Sequence, residues 1–78
     1  MKIKEIQQLK RYVPSGFLAD VVITCERIKQ MEDNKKSDTI EIHSFIFDYV
    51  LSALKVLINI NYFNNEEWIN NNINVKLK

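Results

Sequence analysis

The stretch from Ser44 to Ile60 sets the terms for the whole chain, because its only polar interruptions are Asp48, Ser52, Lys55 and Asn59, at steps of four, three and four. That spacing collects them into one narrow stripe on a helix, where residues three and four apart share a face. All other residues from Phe45 to Ile60 are apolar. A long apolar helix with so little polar surface is expected to be covered nearly all round, by its own domain or by another chain. Ser44 is placed to cap its start, and Asp48 lies near the positive end of its dipole. The run is shorter than the ~20 apolar residues a membrane helix needs, so neither a spanning segment nor a membrane partner is expected.

At 78 residues the chain has room for one domain, and folding at this length buries only about 60% of the surface that the unfolded chain exposes. Hydrophobic residues at 46% and charged residues at 27% are the proportions of a chain that packs a core. The formal net charge of +1 gives no broad field to attract phosphates, and no aromatics interleave the scattered Lys and Arg residues. Nucleic acid is therefore not expected as a partner. The sole cysteine, Cys25, excludes an internal disulfide, and the beginning of the chain has no secretory pattern. A reducing compartment, cytoplasmic or nuclear, follows as the expectation.

Ile3, Ile6, Leu9 and Val13 recur at helical spacing against a polar side, predicting a short amphipathic helix stopped by Pro14, Ser15 and Gly16. Phe17 to Cys25, with Val21, Val22, Ile23 and Thr24 in succession, reads as a strand buried on both faces. Gln30 to Asp38 is polar and reads as a surface loop. Thr39 to His43 alternates like a half-buried strand, and the two strands are expected to pair as a hairpin. Asn64 with Glu67 has the form of a capping box opening a brief helix that carries Trp68 and Ile69. From Ile73, alternation with Val75 and Leu77 predicts a final strand.

The order of helix, Phe17-Leu18-Ala19-Asp20-Val21-Val22-Ile23, hairpin, Ile42-His43 and apolar helix with Ile46 and Phe47 is similar to the start of BTB/POZ domains. The likeness covers roughly residues 17 to 54. Ser44 stands where that family usually carries Lys or Arg after the His, so the charged pocket linked to that residue is not carried over. The resemblance implies an α+β interaction domain that homodimerises, with Asp20 near a dimer contact, or that serves as a scaffold or ubiquitin-ligase adaptor binding a cullin. By analogy the fold expected is a small β-hairpin or sheet packed on a long apolar helix with short flanking helices, all in a single domain.

Chemistry finds little to work with. His43 is the only histidine and has no nucleophile and carboxylate at a fixed spacing, while Cys25 closes an apolar run as a small hydrophobe does. With one glycine, Gly16, the chain forms no common phosphate-cradling loop. No catalytic residue, cofactor or metal is therefore assigned. Protein is the expected partner, including a second copy of the chain. The residues expected at the interface are Ile6, Leu9, Phe17, Asp20, Tyr49, Leu51, Tyr62, Phe63 and Trp68, chiefly large side chains of the kind that carry binding energy. The alternatives are an unrelated small intracellular binding protein without catalytic activity, and a protein that uses the apolar helix at a membrane surface.

Overall fold

Residues 17 to 25, expected as a strand, lie inside the longest helix of the molecule. The computed structural model describes residues 1–78 and orders them as α1 (Ile3–Leu9), α2 (Ser15–Asn34), β1 (Asp38–Ile42), α3 (Phe47–Asn59), α4 (Glu66–Asn72) and β2 (Ile73–Leu77), with one 3-10 turn, Ser44–Ile46, between β1 and α3. The α+β class is as expected, with four helices and two strands. No helix is long and apolar enough to cross a membrane.

In α2 the β-branched run misleads, because strand preference measures how a side chain packs on its neighbours more than any choice made by the backbone. Val21, Cys25, Ile28 and Glu32 recur at steps of four, three and four and are the buried residues of the helix. That stripe faces α3 and α4, and its packing outweighs the small helical cost of Val and Ile. Pro14 therefore does not lead into a turn. It sits at the N-cap with φ −56°, the geometry proline holds without cost, and Ser15 and Gly16 begin the helix. The polar loop is correspondingly shorter than expected: α2 runs on to Asn34 and closes at Lys35 in the left-handed region, φ 52°.

The hairpin is also replaced. With no strand before it, β1 pairs in parallel with β2, in the register Asp38↔Ile73 to Ile42↔Leu77. A parallel pair needs a long crossover, and the turn, α3 and α4 supply it. The ladder continues one step past β2, where Lys78 N–H donates to the Ile42 carbonyl at 2.9 Å and Ser44 N–H to the Lys78 carbonyl at 3.2 Å.

The long apolar helix does not form. Its first turn winds as 3-10 and the helix proper, α3, has 13 residues. Neither the turn nor α3 has a side-chain cap, so Ser44 does not act as one. Nor is the helix covered all round. Val50, Ala53 and Leu57 are buried, while Leu51 and the flanking Phe45 and Ile60 are exposed. At the fourth helix the cap lies one residue later than expected: the Asn65 side chain accepts from Trp68 N–H at 2.9 Å.

The core draws its buried residues from the four helices, the 3-10 turn, β1 and the links, and none from β2. Val21, Cys25 and Ile28 of α2 pack in one cluster with Val50, Ala53 and Leu57 of α3, together with Leu9, Val13, Ile40, Ile42 and Ile69. Ile3, at the start of α1, stays 75% exposed.

Candidate functional site

Four rings from three separate segments meet at one end of the molecule. Phe17 stands in the first turn of α2, Tyr49 in the first turn of α3, and His43 and Phe45 on the short link between β1 and α3. The Phe17 ring lies 5.6 Å from Tyr49, stacked, and 5.7 Å from Phe45, tilted at 55°. His43 stacks on Phe45 at 5.3 Å. These separations are those at which ring pairs attract beyond the area they bury. The run is wet as well as ordered. Phe45 is 60% exposed, His43 is exposed, and Phe17 and Tyr49 are half-buried.

The 3-10 turn sets this arrangement. Had residues 44–46 wound as α-helix continuous with α3, Phe45 would have followed the helix's own phase. Instead the tighter turn buries Ile46 and leaves Phe45 outward, over Phe17. The exposed stripe of α2 then continues from this end through Asp20, Ile23 and Arg27, at helical spacing. The Asp20 carboxylate has no ion-pair partner, while its backbone carbonyl accepts from Thr24 Oγ1 at 2.8 Å.

The residues expected at an interface fall in different places. Phe17 and Tyr49 belong to the ring cluster, with Asp20 one turn along from Phe17. Leu9 and Phe63 are core residues, and Ile6 is half-buried on α1. Leu51 lines a small groove between α3 and α4, of about 180 Å³, together with Leu54, Ile58 and Ile69. Tyr62 and Trp68 lie toward the far end of α2, where the Lys29 and Lys35 ammonium groups sit 5.5 and 5.1 Å from their ring centres.

Phe45 and His43 were missed as surface residues. Phe45 is hidden inside an apolar run, and nothing in its spacing announces the 3-10 turn. Glu32 was missed too, although a signal exists, since it continues the spacing of Val21, Cys25 and Ile28. It is 2% exposed, and its carboxylate accepts from Asn64 N–H at 3.0 Å, Asn65 N–H at 2.9 Å and Lys29 Nζ at 3.0 Å. Burial alone would push this carboxyl up, but the Asn65 amide, the Lys29 ammonium and the Asn64 amide together hold it below the ordinary range. Those contacts bind the loop before α4 to α2, which is an architectural task.

Cys25 is fully buried in the middle of α2, and burial first, then the neighbouring Glu26 charge, pushes its thiol up to about 12. A thiol so placed is almost wholly protonated near neutrality and is a poor nucleophile. Ellman's reagent at about pH 8 is expected to find no thiolate in the native chain and one equivalent after denaturation, where the ordinary cysteine value returns. Rapid native labelling would show that α2 opens at its centre. No three His, Cys, Asp or Glu side chains come together as a metal-binding group.

No family model, curated protein or solved structure matches this chain.

Proposed function

We propose that the protein acts by binding another protein, with the ring cluster of Phe17, His43, Phe45 and Tyr49 as its contact surface. The observation that carries this reading is the 60% exposure of Phe45, held between the half-buried Phe17 ring and the exposed His43 ring. Large aromatic side chains held rigid on a folded base are the usual anchors of protein interfaces, since little conformational entropy is lost when a partner covers them. The unpaired carboxylate of Asp20 and the charge of Arg27 give the surface a polar margin along α2, as interfaces commonly have.

This reading keeps the interaction class implied by the resemblance to BTB/POZ domains and leaves out the cullin adaptor role. That role comes only by analogy from fold to function.

Side-by-side affinity capture from the source cell with the native chain and with Phe45→Asp tests the proposal. Because Phe45 is mostly outside the core, the substitution is expected to cost stability only about 1 kcal/mol, through its ring contacts. It should abolish retention of the partner. Identical sets of retained proteins, with the variant still folded by circular dichroism, would discard the aromatic surface as the binding site.

A further inference from the structure

We infer that β2 is a self-pairing edge, and that two copies of this chain join β2 to β2 antiparallel about a twofold axis to make a continuous four-stranded sheet. The inference does not rest on the aromatic surface. A two-stranded sheet is marginal on its own, and parallel strands are nearly always found inside larger, covered sheets.

Of the two outer edges, that of β2 is the less obstructed. On β1 the Thr39 N–H, which faces outward, is taken by the Asp38 carboxylate at 2.7 Å, and a groove of about 500 Å³ with Arg27, Gln30 and Lys36 in its lining runs beside the strand. Charged residues of that kind are how proteins blunt a strand edge. On β2, Lys78 turns both its N–H and its C=O toward β1. The alternation of a parallel ladder does the same for Lys76 and Asn74, and therefore turns the amide groups of Val75 and Leu77 outward.

The side chains lead to the same edge. The register puts Val75 beside Ile40 and Leu77 beside Ile42, so these residues share a face of the sheet. Helices cover that face over β1, where Ile40 and Ile42 are buried, but Val75 and Leu77 remain 46% and 51% exposed. The apolar face thus runs on past its own cover.

The occupant is a second copy because the edge complements itself in one register. The outward amides of Val75 and Leu77, with the outward carbonyl of Ile73, whose own N–H is held by the Ile69 carbonyl, require odd residues to form the hydrogen-bonded pairs of an antiparallel junction, and full overlap then sets Val75 against Val75 of the second copy. In that register Leu77 faces Ile73, so apolar side chains line the join on one side. On the other side Lys76 faces Asn74 instead of another lysine, which avoids direct opposition of like charges. Lys76 also has Glu41 beside it within its own sheet. Five-residue strands bury an area at the low end for protein interfaces, so the dimer is expected to form in the micromolar range.

Sedimentation equilibrium at about 100 μM, a concentration at which a micromolar complex is mostly formed, should report twice the chain mass of 9.3 kDa. Val75→Pro removes the outward donor from both copies without touching the bonds to β1, and is expected to weaken association by about thirtyfold. A second measurement does not depend on that variant folding. An equal mixture of Asn74→Cys and Lys76→Cys chains, oxidised together, should crosslink faster than either chain alone, since those two positions face one another in the dimer. A monomer at that concentration, undiminished association of a folded Val75→Pro chain, or a mixture that crosslinks no faster than its components would each overturn the inference.

Discussion

Replacing Glu32 with alanine is expected to remove about 3 kcal/mol of folding stability, the scale on which losing one member of a buried, hydrogen-bonded charge pair acts. The carboxylate is nearly sealed from solvent and serves three donors from two distant parts of the chain. Its removal strands the Asn64 and Asn65 amides just before α4 and deprives the Lys29 ammonium of its buried partner, leaving it Asp33 at 3.1 Å. Glu32→Gln keeps the shape and one acceptor oxygen, so its cost at neutral pH should be about half as large. The pH dependence separates charge from shape. The folded carboxyl titrates below its ordinary 4.5, so its contribution is fully present above that value and is lost as the pH falls through the lowered folded value. Urea unfolding of the native chain and of Glu32→Gln should therefore converge as the solution is acidified. A gap between them that stays constant from neutrality down to about pH 3 would mean that the charge contributes nothing.

What could be read from the chain divides along the distance over which each structure is decided. The strands at Thr39 to His43 and from Ile73, and a short helix bearing Trp68 and Ile69, are local: alternation and an asparagine cap are enough to place them. The identity of residues 17 to 25 is not local. A run of Val, Val, Ile and Thr suits either a buried strand or a helix packed on its Val21 side, and the decision is made by Val50, Ala53 and Leu57, which lie a long way down the chain. Strand pairing depends on distance in the same way, for once α2 is helical the only strand left to β1 is β2, reached across two helices. The candidate site follows the same rule. Phe17 and Tyr49 could be singled out as large and apolar, but their meeting with Phe45 and His43 depends on a 3-10 turn of three residues that no periodicity marks.

Leu57→Ala and Leu51→Ala, two chemically identical changes six residues apart on α3, are expected to differ several-fold in cost. Leu57 is fully buried at the centre of the core, and the turn that ends the helix folds back on it, with Tyr62 N–H donating to its carbonyl at 2.8 Å. Truncation there opens a cavity that the packed stripes of α2 and α3 cannot close, at about 3 kcal/mol or more. For a chain of this size, whose whole stability is on the order of 4–12 kcal/mol, that loss is a large share. The melting temperature should fall by roughly 15–20 °C. Leu51 is 41% exposed and lines the groove that Ile69 also lines, so its truncation should cost less than about 1 kcal/mol. The comparison decides how the apolar stretch between Ser44 and Ile60 is used. If α3 were shielded on every side, as its composition implies, the two leucines would cost nearly the same, and equal losses measured by thermal unfolding would return that stretch to a helix buried all round. Unequal losses in the expected order show instead that folding claims one face of α3 and leaves the other to solvent.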